Sequence, residues 1–183
     1  AALDINPATD RDFDVPCQAA ILIDEDSGTV LYEKNADESR PIASITKIMT
    51  LLLTFEALEA GKVSLSDIVP VSEHAYHMGG SQIWLEPGEQ LTLDEMLKAI
   101  CISSANDVWM DTLRGGATQL VNTNKLLKSY NGITGLKTGT TGKAGVCISA
   151  SASRDDLRLI AVVLGSSSGK ERFAAATSLL DYG

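Results

Sequence analysis

The sequence predicts a mixed α+β domain in which strand patterns near both ends enclose helical patterns in the middle. Residues 19–24 and 29–34 are rich in apolar and β-branched residues, and a four-residue turn ending in Gly28 separates them. Residues 145–153 and 157–164 show a similar strand pattern around a short acidic turn. A chain of 183 residues fits one domain, so we assign residues 1–183 to a single domain.

Three helices are predicted along the chain, and residues 1–16 are predicted to be irregular. Residues 44–60 carry an apolar stripe at helical spacing, and Gly61 ends the pattern. The stripe consists of Ile45, Ile48, Met49, Leu52 and Leu53. Residues 92–103 open with the capping-box pair Thr92 and Glu95, and residues 168–182 form the last helix. The stretch up to residue 88 is predicted to be loop-rich, and 118–124 and 136–140 to be short extended pieces.

The first motif is Ser44-Ile45-Thr46-Lys47, in which serine and lysine share one helix face. Ser44 would begin the helix, where free N–H groups and the helix dipole stabilise a developing anion. The same dipole, burial and a second cation would lower the pKa of Lys47, so that its amine could act as a general base. The structural alternative is an N-capping serine followed by a solvated lysine.

The second motif, Ser104-Ala105-Asn106, follows the 92–103 helix. The Ser104 hydroxyl could relay a proton, and the Asn106 amide could hold a substrate amide. Because serine and asparagine also suit turns, an ordinary polar helix end remains the alternative.

The third motif, Lys137-Thr138-Gly139, lies in a segment rich in glycine and threonine. Small residues at an open strand edge would allow a substrate backbone to lie alongside. Lys137 would then offer a cation to a carboxylate, and Thr138 a hydroxyl donor. The alternative is a glycine-rich hairpin without a ligand.

In this order, the three motifs resemble the signature of penicillin-binding proteins and serine β-lactamases. The rest of the chain, from about residue 19 to residue 183, resembles the low-molecular-mass D-alanyl-D-alanine carboxypeptidases among them. The segments that carry this wider resemblance are residues 78–82, 85–89, 120–126 and 179–183.

The resemblance implies an antiparallel β-sheet flanked by terminal helices, with a helical subdomain inserted between strands (β-lactamase/transpeptidase-like). It implies a serine-type hydrolase that removes the terminal D-alanine from peptidoglycan stem peptides outside the cytoplasmic membrane. It also implies inhibition by β-lactams and no cofactor or metal. The catalytic residues would be Ser44, Lys47 and Ser104; the substrate-binding residues would be Asn106, Lys137, Thr138, Gly139 and Thr140.

One departure from the family pattern concerns the middle of the chain. In the family, several tens of residues separate the second motif from the segment that resembles 109–116. Here Asp107-Val108 runs directly into Trp109. We therefore expect a truncated helical subdomain, with a physical break or disorder near residues 108–109. The sequence ends at Gly183, so we also expect this chain to lack the family's β-rich domain and membrane anchor.

Composition excludes several other classes of protein. The net charge of −9 and the pI near 4.6 argue against a nucleic-acid partner. Lys47 and Lys137 would together suit a small anionic substrate. Three cysteines without metal-ligand spacing predict buried thiols. His74 and His77 lack further ligands for a metal, and no segment is long and apolar enough to span a membrane.

Three functions therefore compete. The carboxypeptidase is the first. A serine β-lactamase is the second; it needs fast deacylation, commonly from a glutamate after the second motif, in the region that is missing here. The third is a catalytically impaired domain that binds wall peptides or β-lactams without turnover.

Overall fold

The computed structural model describes residues 13–79, 83, 85–102, 109–111, 118–120 and 123–183, with backbone alone at 102, 109–111 and 118–120. Its strands are β1 (Ala19–Asp24), β2 (Val30–Lys34), β3 (Ile68–Pro70), β4 (Gln90–Thr92), β5 (Trp109–Asp111), β6 (Thr118–Leu120), β7 (Ile133–Thr141), β8 (Gly145–Arg154) and β9 (Leu157–Ser166). Its helices are α1 (Lys47–Glu59), α2 (Glu73–Tyr76), α3 (Leu93–Ile102), α4 (Leu126–Ser129) and α5 (Gly169–Tyr182). A 3₁₀ turn, Ala43–Thr46, precedes α1 and is called the Ser44 turn.

These elements fall into two compact parts. The sheet lobe comprises Ala1–Thr46 and Asn124–Gly183, and the insert lobe comprises Lys47–Thr123. The boundary between them follows the last residue of the Ser44 turn.

The sheet lobe is built on five antiparallel strands in the order β2-β1-β9-β8-β7. The predicted antiparallel sheet is confirmed, and β1 coincides with its predicted range. The β1–β2 turn is held by Asp24, whose carboxylate accepts hydrogen bonds from the backbone N–H and the hydroxyl of Ser27 at 2.7 and 2.9 Å. Gly28 completes it with a φ of +71°, which glycine adopts without strain.

Helix α5 covers one face of this sheet, and the core lies between the helix and the strands. Ser168 caps it by accepting a hydrogen bond from the N–H of Glu171 at 3.2 Å. Apolar side chains of the helix and of three strands are buried together: Leu22, Ile148, Ala150, Ala161, Val163, Ala175, Ala176, Leu179 and Leu180. Full burial of one such leucine contributes about 1.5–3 kcal/mol, so this contact fixes the helix on the sheet. Of residues 1–16, which were predicted to be irregular, residues 13–16 form neither helix nor strand, and the others lie outside the described part.

The insert lobe contains the predicted capped helix. The N–H and the hydroxyl of Thr92 donate hydrogen bonds to the Glu95 carboxylate at 2.7 and 2.8 Å, and the N–H of Glu95 donates to the Thr92 hydroxyl at 3.2 Å. The predicted capping box is therefore confirmed, with the helix beginning at Leu93. Strands β3 and β4, which precede this helix in the chain, form an antiparallel pair. Five very short elements of the described residues, β3, β4, β5, α2 and α4, were not predicted, because three or four residues carry no periodicity.

Helix α1 differs from its prediction in start and in burial. It begins at Lys47, three residues later than predicted. Leu51, outside the predicted stripe, is 7% exposed, whereas Met49 and Leu53 in the stripe are 55% and 57% exposed. The helix is apolar around most of its circumference, so the spacing of its apolar residues did not identify the buried side.

Three further expectations concern the cysteines, a membrane-spanning segment and the break in the middle of the chain. Cys147 is buried, as predicted, but Cys17 and Cys101 are only half-buried. Among the described residues, no helix is both long enough and apolar enough to cross a bilayer. The predicted break near 108–109 lies outside the described residues, because Val108 is not described.

Candidate active site

The Ser44 turn is held together by its own hydrogen bonds. The N–H of Ile45 donates to the carbonyl of Ile42 at 3.2 Å, and the Thr46 hydroxyl donates to the carbonyl of Ala43 at 2.9 Å. Ala43 has a φ of +50°, in the left-handed region. The Ile45 side chain is buried and anchors the turn. Ser44 is therefore held in a tight turn before α1 rather than inside the predicted α-helix.

This turn packs against the middle of strand β7. A methyl group built on Gly139 would lie 2.7 Å from the backbone nitrogen of Ser44. The same methyl would lie 3.0 Å from the Ala43 side chain and 3.3 Å from the Ile42 carbonyl oxygen. Only glycine leaves room for so close an approach of two backbones. The first and third motifs, distant in sequence, are thus brought into direct contact.

Lys137 shares the face of β7 on which the Ser44 turn packs. Successive side chains on a strand point to opposite faces, so Lys137 and Gly139 lie on one face, opposite Ser149 and Cys147 of β8. Lys137 is 2% exposed, which is rare for a lysine and requires polar or charged neighbours. Its ammonium group is therefore held inside the fold.

Thr138 in the third motif and Thr140 directly after it are placed differently. Thr138 and Thr140 alternate with Lys137 along the edge strand, and Thr138 is buried whereas Thr140 is exposed. The end of the strand is fixed by its hairpin, where the N–H of Ala144 donates to the Thr141 hydroxyl at 3.0 Å. The Cys147 thiol donates to the carbonyl of Ala144 at 3.4 Å and ties β8 to the same hairpin. These bonds hold the edge strand in register beside the Ser44 turn.

The remaining predicted residues are placed only in part. Lys47 is the first residue of α1 and is half-buried. Ser104 and Asn106 lie outside the described residues. The sequence analysis missed Ala43 and Thr46, which shape the turn. An alanine carries no sign of a left-handed backbone, but a threonine two residues after the serine could have indicated a turn stabilised by its hydroxyl.

Comparison of the sequence with known proteins shows which family it matches. A family profile described as peptidase S11, D-alanyl-D-alanine carboxypeptidase, matches residues 6–111 and 108–168. The D-alanyl-D-alanine carboxypeptidase DacF of Bacillus subtilis is 38% identical over 238 residues, which cover 90% of this chain and 61% of DacF. The chain therefore spans less than two thirds of this relative's length.

Two solved structures have the same fold. The D-alanyl-D-alanine carboxypeptidase DacD of Francisella tularensis superposes with a TM-score of 0.85 at 19% identity, over 93% of this chain and 70% of that one. Penicillin-binding protein D2 of Listeria monocytogenes, in its cefotaxime-bound form, superposes with a TM-score of 0.79 at 21% identity, over 93% and 98% of the two chains. The predicted transpeptidase-like fold is confirmed.

Proposed function

The chain belongs to the peptidase S11 family of D-alanyl-D-alanine carboxypeptidases, and we propose that it removes the terminal D-alanine from peptidoglycan stem peptides through an acyl-enzyme on Ser44. The observation that most directly supports this function is the contact between Gly139 and the backbone nitrogen of Ser44. It sets a serine and its N–H group beside a strand edge that carries a buried lysine. That combination provides a nucleophile, a donor for an oxyanion and a cation for a carboxylate.

Acylation begins when the Ser44 hydroxyl oxygen attacks the carbonyl carbon of the penultimate D-alanine. Lys47 takes the hydroxyl proton, directly or through Ser104, and the carbonyl electron pair moves onto oxygen. The backbone N–H groups of Ser44 and Thr140 donate hydrogen bonds to this oxyanion, and one such donor is worth about 3–4 kcal/mol in a serine hydrolase.

The tetrahedral intermediate then collapses and breaks the bond to the terminal D-alanine. Its nitrogen receives a proton through Ser104, so that D-alanine leaves as a neutral amine. Water hydrolyses the ester that remains and restores the Ser44 hydroxyl. Lys137, Thr138 and Thr140 hold the terminal carboxylate of the substrate, and Asn106 orients the amide on the acyl side.

β-Lactams would enter the same pathway. Attack of Ser44 on the lactam carbonyl opens the ring, but the leaving nitrogen stays tethered to the acyl group and hinders deacylation. The Listeria monocytogenes protein of the same fold binds cefotaxime. We infer that the chain acts outside the cytoplasmic membrane, because its proposed substrate lies there.

The shortened middle of the chain supports a second candidate function. The family profile matches in two blocks that meet at residues 108–111. The alignment with DacF runs over 238 positions, although 90% of this 183-residue chain is only about 165 residues. We infer that a segment of the family is missing near 108–109, directly after Ser104 and Asn106. Catalytic groups need a supporting shell, so a domain that binds β-lactams or wall peptides without turnover is the second candidate.

The mass of the intact protein, followed over time with benzylpenicillin, tests these proposals. A stoichiometric adduct on Ser44 that decays slowly, together with release of D-alanine from a pentapeptide, is the result expected of a carboxypeptidase. A Ser44→Ala variant should remain folded and form no adduct. An adduct that persists in this variant would contradict the role of Ser44, and an adduct without release of D-alanine would favour the binding domain. Rapid loss of the adduct as penicillin is consumed would indicate a β-lactamase.

A further inference from the structure

We propose that Thr46 is a positioning residue, which holds Ala43 in a left-handed conformation and thereby fixes the backbone N–H of Ser44 as an oxyanion donor. This inference rests on the proposed function and deepens it. It assigns a role to Thr46, which lies within the first motif, and to Ala43, which directly precedes it. The chemistry proposed for that motif uses only its serine and its lysine.

The conformation of Ala43 is the observation that calls for an explanation. Among the described residues other than glycine, Ala43, Asn35 and Asp155 have a positive φ. Asparagine and aspartate tolerate this region because their short polar side chains bond to the local backbone. Alanine has no such group, and its Cβ atom crowds the neighbouring carbonyl. Another part of the turn must therefore hold Ala43 in place, directly before the proposed nucleophile.

Thr46 supplies that restraint. Its hydroxyl donates a hydrogen bond of 2.9 Å to the carbonyl oxygen of Ala43 and so closes the turn across Ser44. The Thr46 side chain is exposed, so water could satisfy its hydroxyl equally well. The bond is therefore not required to compensate burial. Its effect falls on the shape of the turn.

The shape of the turn controls the group that meets the substrate. The peptide plane between Ala43 and Ser44 carries the Ser44 N–H, and its orientation depends on the backbone angles of Ala43. The nitrogen of this plane is the atom that Gly139 approaches most closely. If Ala43 relaxed to a right-handed conformation, this peptide plane would rotate and the N–H would change its direction relative to β7. Stabilisation of the transition state would fall, while non-covalent binding of the ligand would change little.

Four variants test this inference: Thr46→Val, Thr46→Ser, Ala43→Gly, and the double variant of Ala43→Gly with Thr46→Val. Valine has the shape of threonine without the donor, serine keeps the donor, and glycine adopts a positive φ freely. The assay measures the saturating rate of acylation by benzylpenicillin and its half-saturating concentration. Melting curves show whether each variant is folded.

We expect Thr46→Val to lower the saturating rate about fivefold, the effect of one net hydrogen bond, without changing the half-saturating concentration. Thr46→Ser and Ala43→Gly should each acylate within about twofold of the unmodified protein. The double variant should regain most of the lost rate, because glycine needs no restraint. A merely structural role of Thr46 would not produce this recovery.

Two results would overturn the inference. The first is acylation of Thr46→Val at the unmodified rate, and the second is a double variant as slow as Thr46→Val alone. Failure of the proposed function would look different, because the unmodified protein itself would form no adduct. In that case crystal structures decide: a positive φ at residue 43 in Thr46→Val would show that Thr46 does not hold the turn.

Discussion

Replacing Gly139 by alanine should slow acylation of Ser44 about a hundredfold while the sheet remains folded. The added methyl group would lie 2.7 Å from the backbone nitrogen of Ser44, 3.0 Å from the Ala43 side chain and 3.3 Å from the Ile42 carbonyl oxygen. Two of these three neighbours are backbone atoms, which move only if the whole turn moves. The change therefore acts on the position of Ser44, the proposed nucleophile, although it is made on strand β7.

The size of the effect follows from these distances. An ordinary contact of a methyl carbon needs about 3.4–4 Å, so the Ser44 turn must retreat from β7 by roughly 0.7 Å or more. A displacement near 1 Å at a reacting group costs about a hundredfold in rate, and loss of one oxyanion donor costs a similar factor. Overpacking costs about 1–3 kcal/mol in the free energy of unfolding, which lowers the melting temperature by several degrees without unfolding the domain.

The assay compares the acylation rate by benzylpenicillin with the melting temperature of the same preparation. Gly142→Ala is the matched control, because it lies just beyond the third motif and a methyl group there would have no neighbour within 4 Å. It should acylate and melt like the unmodified protein. If Gly139→Ala were folded and acylated at the unmodified rate, the close approach of the two backbones would not position Ser44, and the reasoning would be wrong.

Two further predictions concern stability and pH. Hydrogen bonds from the Thr92 backbone and hydroxyl hold the pKa of Glu95 below its usual value, so its stabilising contribution is present above about pH 4.5 and is lost as the pH falls through the folded pKa. Glu95→Gln should flatten the acid part of a plot of melting temperature against pH, and an unchanged acid slope would contradict this account. Burial, reinforced by a neighbouring carboxylate, raises the pKa of Tyr32 and of Tyr130 from 10.0 to about 12; their contribution is complete below about pH 10 and is lost as the pH rises towards 12. Replacing both tyrosines by phenylalanine should reduce the loss of stability in that range. Denaturant melts at pH 9 and 11.5 would detect the difference. An equal loss of stability in the unmodified protein and in the double variant would contradict this account.

The sequence predicted those elements that are stabilised by interactions between residues close together in the chain. Thr92 and Glu95 are three residues apart and cap their helix through each other, so the sequence alone indicated that helix start. The strands around the turn at residues 155–156 were likewise predicted from their pattern, because each pairs with its neighbour in sequence. The three motifs likewise indicated the candidate site, because each is a short run of residues whose side chains can be recognised as chemically functional.

The sequence could not indicate features that depend on distant contacts. The Ser44 turn replaces the predicted first turn of α1, and it packs closely against Gly139, which lies far along the chain. The left-handed backbone of Ala43 has no signature in an alanine. The burial of Lys137 is equally a result of tertiary packing, because a lysine at a strand edge would usually be exposed.

The order of strands in the sheet also affects how the protein folds as it is synthesised. Strand β9 lies between β1 and β8, so Ala19 near one end of the chain pairs with Leu164 near the other. Contacts between residues so distant in sequence slow folding, because a long loop must close before they form. Until β9 has been synthesised, the β1–β2 hairpin has an open edge that can pair with another chain. A nascent chain that ends before Leu157 therefore has a complete serine motif, but its β1–β2 and β7–β8 hairpins are not yet joined into one sheet.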